Sequence, residues 1–149
     1  MVNRAWRVLT GFALLGALTA AGCARGPEFA EVEGTARLNG KPLANVRVEF
    51  MPDPEQGTEG PTSSGITDKD GRYRLFYADQ RPGVVVGKHR VLIHDLAPYE
   101  NLPPGRLPDS YKLKPPRVPA RYYDSSSTPL RKEVKAGGPQ TIDLEVTTP

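Results

Sequence analysis

The chain has 149 residues, with 20 Lys and Arg against 17 Asp and Glu, a net charge of +3, 16 Pro, 15 Gly and a single Cys. That length predicts one domain with a real core, and the single Cys excludes a disulfide framework and any multi-thiolate metal site within the chain. Pro and Gly make about a fifth of the residues, short of a low-complexity composition. The basic balance invites a nucleic-acid reading that has to survive the placement of the charges.

Residues 1–22 read as an export signal. Arg4 and Arg7 make a positive start, no acidic residue precedes Glu28, and Val8 to Ala21 is an apolar run of 14 broken only by Gly and Thr. A membrane-spanning helix needs about 20 apolar residues, so the run has the proportions of a cleaved signal. Leu18-Thr19-Ala20-Ala21-Gly22-Cys23 resembles the bacterial lipobox, with Ala20 at the position where Leu is commonest. The resemblance implies cleavage before Cys23 and lipidation of Cys23. Two or three acyl chains, at roughly 0.8 kcal/mol per buried CH₂, would hold the protein on a membrane. Ala24, which is not Asp, implies delivery to the outer membrane where lipoprotein sorting operates. The alternative is an ordinary secretory signal cut after Gly22, leaving Cys23 as a thiol. Removing Arg4 and Arg7 leaves 18 basic against 17 acidic side chains, and the nucleic-acid reading loses its support.

Residues 23–29 read as a lipidated tether and 30–149 as the folded domain. Glu31 to Leu38 is expected to open it as a strand. Asn45 to Phe50 alternates with period 2 and places Val46, Val48 and Phe50 on one face. Arg72 to Leu75 alternates likewise, as do His89 to Ile93, with His89, Val91 and Ile93 together, and Thr141 to Val146, with Ile142, Leu144 and Val146 inward. Turn signals fall at Asn39-Gly40-Lys41-Pro42, Asp68-Lys69-Asp70-Gly71, Arg81-Pro82-Gly83 and Ala136-Gly137-Gly138-Pro139. No helical periodicity occurs outside the signal. Short strands with turn punctuation predict an all-β fold, a sandwich or barrel. Residues 97–119 hold seven prolines and are too Pro-rich for a central strand. This Pro-rich loop reads as an insertion or a binding loop.

Val32-Glu33-Gly34 through Asn39-Gly40-Lys41-Pro42-Leu43 to Val46-Arg47-Val48 resembles the opening of a carboxypeptidase regulatory-like domain. Thr67-Asp68-Lys69-Asp70-Gly71-Arg72-Tyr73-Arg74-Leu75 resembles its hairpin, and Gly87 to Ile93 a later strand. Val118-Pro119-Ala120-Arg121-Tyr122, Thr128-Pro129-Leu130, Gly138 and Leu144 resemble the end of the same domain in a group of small bacterial lipoproteins. The resemblance, over roughly residues 30–147, implies an immunoglobulin-like or transthyretin-like β-sandwich of about seven strands. It implies fold and location, and almost nothing about activity.

The residues offer little catalytic chemistry. Carboxypeptidase catalysis belongs to a separate zinc domain with a His-x-x-Glu pair, absent here. His89 and His94 are five apart, so on one strand they face opposite ways and cannot share a metal ion. His89 reads as a core filler, His94 as solvated or at a loop edge. Asp68 to Gly71 looks like a piece of a calcium loop, but Gly71 stands at loop position 4 instead of 6, and position 12 is Asp79. A hairpin turn accounts for it. Ser63-Ser64 and Ser125-Ser126-Ser127 lack a nucleophile elbow and a base. The last strand has no Asn for an isopeptide bond. Tyr122, Tyr123 and Asp124 form a polar aromatic stretch suited to ligand contact, or Tyr packing with its hydroxyl on backbone. The expectation is a non-catalytic protein without cofactor or metal, lipid-anchored at the cell envelope, with a structural or protein-binding role. The alternative is a ligand-binding module for glycan or calcium.

Overall fold

The computed structural model describes residues 26–148 apart from 79, 101, 103–104 and 106–111. The expected signal, Cys23, Ala24 and Asp79 therefore lie outside the described residues. The fold is all-β, with three single-turn 3₁₀ segments and no α-helix among the described residues.

The strands are β1 (Phe29–Ala30), β2 (Val32–Leu38), β3 (Lys41–Pro42), β4 (Val46–Pro52), β5 (Ser63–Ile66), β6 (Arg72–Arg74), β7 (Phe76–Tyr77), β8 (Arg81–Pro82), β9 (Val84–Val85), β10 (Gly87–Asp95), β11 (Arg131–Val134), β12 (Gln140–Thr141) and β13 (Leu144–Val146). Six of them form an antiparallel sheet in the order β11-β10-β4-β5-β7-β8. A second sheet is built on β2, with β12 and β13 parallel to it on one side and β3 and β6 antiparallel. A small pair joins β1 to β9.

The alternation read from the sequence explains the longest ladder. In β4, Val46, Val48 and Phe50 are fully buried while Arg47 is exposed, and opposite them Val91 and Ile93 of β10 are buried as well. The register runs from His89 opposite Pro52 to Asp95 opposite Val46. The β2 sheet contributes Val32, Ala36, Tyr73, Leu144 and Val146 to the same core, and Leu43, Leu75, Val118 and Tyr122 complete it from connecting segments. At about 25 cal/mol per Å² of apolar surface removed from water, this shared cluster is the main stabilising term.

Two glycines mark where backbone meets backbone. A Cβ at Gly34 would lie 2.0 Å from the Ile142 carbonyl oxygen, and one at Gly65 would lie 2.1 Å from that of Arg74. The Gly65 contact sits where the chain changes sheets. Leu75 links β6 to β7, its N–H donating to Val32 at 3.0 Å and its carbonyl accepting from Gly83 at 3.1 Å. The β2–β3 hairpin turns on Asn39 and Gly40, both at positive φ, as a two-residue primed turn requires.

Four boundaries differ from the sequence expectation. Phe29 belongs to β1, stacks on Tyr77 at 4.1 Å, and follows Glu28, whose carbonyl accepts from Val86; the tether assigned to 23–29 thus ends before Glu28. The opening strand starts at Val32, since Ala30 already pairs with Val84. Arg81 and Pro82 form a strand, not a turn, because the Arg81 amide already donates back to the Ala78 carbonyl and Gln80 takes the positive φ. The last strand is split after Thr141. Asp143 Oδ1 accepts from the Thr35 amide at 2.8 Å and its hydroxyl at 2.7 Å, and Tyr73 donates its phenol to the Ile142 carbonyl. Side chains replace the ladder there, and Ile142 is only partly buried.

Candidate functional site

The stretch 120–124 is a corner. A 3₁₀ turn at Ala120–Tyr122 swings Tyr122 into the core, where it is 2% exposed. Its phenol accepts from the Thr147 amide at 3.0 Å and meets the Thr147 hydroxyl at 3.2 Å. Arg121 lies over its ring at 5.0 Å and donates to the Thr147 carbonyl. Tyr122 therefore fastens the corner to the chain end and presents no ring to a ligand. Asp124 is exposed, but Oδ1 accepts from the Ser126 amide and hydroxyl at 2.7 and 2.8 Å, so its carboxylate closes a local turn.

Tyr123 alone of the three borders a groove. Its phenol donates to the Val118 carbonyl, and its ring stacks on His94 at 5.9 Å. Tyr99, Leu113, Pro115 and Pro116 complete a groove of about 370 Å³. Tyr99 and Leu113 are two of the three large apolar side chains exposed on the described surface. Glu49 stands 3.5 Å from His94.

The floor of this groove is fixed by Asp95. Strand parity carries it inward after His89, Val91 and Ile93, and it is 5% exposed. Its Oδ1 accepts from the Ala97 amide at 3.1 Å and from Arg117 Nη2 at 2.5 Å, and its Oδ2 accepts from the Arg117 amide at 2.6 Å. Burial pushes its carboxyl up, but the Arg117 guanidinium and both amides outweigh that and hold it below 3.8. Arg117 also donates to the Ala44 carbonyl at 2.8 Å. Both ends of the Pro-rich loop are thereby clasped to the end of β10. The parity of Asp95 is visible in the sequence; its partner, 22 residues on, is not.

His89 is 1% exposed, as a core filler should be, and faces opposite to His94. Its Nδ1 lies 3.0 Å from the Gly87 carbonyl, which can only accept, so Nδ1 carries the proton. Nε2 is then a buried lone pair without a partner among the described residues. Burial lowers the pKa of this imidazole, against the opposing pull of the Gly87 carbonyl and Asp53.

The Asp68 turn has the geometry of a hairpin. Its Oδ1 accepts from the amides of Asp70 and Arg72, both at 2.9 Å, and Gly71 takes positive φ. Among the described residues no three His, Cys, Asp or Glu side chains gather as metal ligands, and no helix is long and apolar enough to cross a membrane. Comparison with family models, curated proteins and solved structures gives no match to this chain.

Proposed function

We propose that the chain is an exported lipoprotein anchored through Cys23. Its domain would be a β-sandwich of the carboxypeptidase regulatory-like, transthyretin-like kind, with a non-catalytic structural or protein-binding role at the bacterial cell envelope, on the outer membrane. The observation that carries this reading is the position of the only Cys, at the end of the apolar run Val8 to Ala21 and after Ala20-Ala21-Gly22. Two sheets sharing one core support the sandwich. A backbone pairing that begins at Glu28 supports a short tether: residues 23–27, at about 3.5 Å each, reach no more than about 18 Å. The domain would ride close to the lipid.

The test is membrane fractionation of cells expressing Cys23→Ala beside the wild type, with intact-mass measurement of the N-terminus. Release of the variant and an acyl mass on wild-type Cys23 are expected. Membrane retention of the variant would overturn the anchor. Crosslinking in the native envelope then identifies what the domain touches. The groove of Tyr99, Tyr123 and His94 favours one second reading, glycan binding on an aromatic platform. Glycan-array binding lost in Tyr99→Ala and Tyr123→Ala is its expected signature.

A further inference from the structure

β11 is the outer strand of the six-stranded sheet. The Val91 amide donates to the Leu130 carbonyl at 2.9 Å, and the register continues through Arg90 opposite Arg131 to Gly87 opposite Val134. In an antiparallel ladder, residues that exchange bonds alternate with residues whose groups point away. Lys132 and Val134 therefore turn their backbone toward β10, while Arg131 and Glu133 turn theirs outward. Lys135 continues the outward row. The Gln140 side-chain amide accepts from its N–H at 3.0 Å and donates to its carbonyl at 2.7 Å, standing where a paired strand would stand. The open row is thus two residues long, with two donors and two acceptors that have no backbone partner among the described residues.

The opposite edge of the sheet is blunted. β8 has two residues and one is Pro82, which has no N–H. At the β11 edge the charges are mostly of one sign. Lys88, Arg131, Lys132 and Lys135 make no ion pair among the described residues. Two carboxylates beside them make no ion pair among the described residues: Glu133, opposite Lys88 in the register, and Asp143, which lies within the field of Lys132 and accepts from Thr35; Asp53 is held by Arg90 at 2.9 Å. A depression of about 390 Å³, bordered by Lys88, Arg131, Lys132, Glu133 and Asp53, adjoins the strand. It has room for a side chain of an added strand.

We propose that β11 is a docking edge for an extended acidic segment of a partner protein, which pairs with Arg131 and Glu133 as a seventh strand and sets carboxylates against Lys88, Arg131 and Lys135, the cations on its exposed face. Main-chain bonds would supply the affinity and alternate side chains the selectivity. This deepens the protein-binding reading proposed above and rests on it. A second copy of the chain fits less well, since it would bring the same surplus of cations against itself.

The test uses the whole chain in detergent micelles and a fluorescein-labelled peptide of alternating Glu and Thr, with its Lys and Thr counterpart as control. Anisotropy is expected to show the acidic peptide binding about tenfold or more tighter than the basic one, with the advantage shrinking as salt is raised. Glu133→Pro removes an outward N–H and leaves the β10 ladder intact, so against Glu133→Gln, which matches its loss of charge, it should weaken binding about tenfold with an unchanged melting profile. Gln140→Ala uncaps Lys135, lengthens the open row and should tighten binding. Equal binding of the two peptides, no binding, or indifference to Glu133→Pro at retained melting would overturn the proposal. So would a concentration-dependent dimer, seen by light scattering and abolished by Glu133→Pro, which would make the occupant a second copy. Membrane anchoring is read separately from Cys23→Ala, so failure of the edge and failure of the anchor are told apart.

Discussion

β10 begins and ends in different kinds of structure. Along most of its length it is the partner of β4, seven residue pairs in which Val46, Val48, Phe50, Val91 and Ile93 are fully buried. At its last residue, Asp95, it holds the Pro-rich loop through one carboxylate and one guanidinium. The ladder is stabilised by many small contributions that add. The clasp concentrates its hold in two side chains. The first kind of structure resists change by redundancy; the second is expected to be released by one substitution while the domain stays folded.

Substitutions can break that contrast in graded steps. The largest loss is expected for Phe50→Ala, which empties a fully buried position of β4 and should cost about 3–5 kcal/mol in urea unfolding. Gly34→Ala comes next. Its Cβ cannot share space with the Ile142 carbonyl, so β2 must part from the C-terminal strands, at about 3 kcal/mol. Arg117→Met leaves Asp95 buried without its guanidinium and should cost about 2 kcal/mol. Hydrogen exchange should rise at Ala97 and Arg117 and not in β4. Uniform exchange across the domain would mean that clasp and ladder are one cooperative unit. Leu113→Ala, on the exposed rim of the groove, should stay within about 0.5 kcal/mol.

Acid separates the two regions by another route. His89, in the ladder, has its pKa lowered from 6.5 by burial. The unfolded chain binds that proton more readily, so the stability contributed by neutral His89 is complete above 6.5 and is lost as pH falls below it. Asp95, in the clasp, has its pKa held below 3.8. Its contribution is complete above 3.8 and is lost only as pH falls through the lower folded value. Urea midpoints between pH 7 and 5 should therefore fall in the wild type and stay flat in His89→Leu. A persistent slope in the variant would place the acid sensitivity elsewhere.

The sequence made the strands readable wherever one face is buried and the other wet. Val46, Val48 and Phe50 follow that rule, as do Tyr73 with Leu75 and Leu144 with Val146, and so does inward His89. It failed where a side chain does a strand's work. Asp143 and Tyr73 split the last strand by bonding across to Thr35 and Ile142, and no local period reports a contact 108 residues away. The turn expected at Pro82 failed for a related reason. Gln80 takes the positive φ, and Pro82 needs no donor on an outer strand. Of the ligand-contact residues, Tyr122 and Asp124 satisfy themselves locally or at the chain end, and Tyr123 alone reaches a groove. The partners that shape this groove, Tyr99, Leu113 and Arg117, come together only in three dimensions.

The parallel pairing of β12 and β13 with β2 has a consequence in time. On whichever side of a membrane the domain folds, β2 comes early and the strands that complete its sheet come much later, with Thr35 and its partner Asp143 separated by 108 residues. Until they arrive, Gly34 and Ala36 line an open seam, and the Thr35 hydroxyl and amide have no carboxylate to meet. Such long-range closure is slow. The domain cannot be finished piecemeal: a chain cut short before Gln140 would lack the strands that close β2.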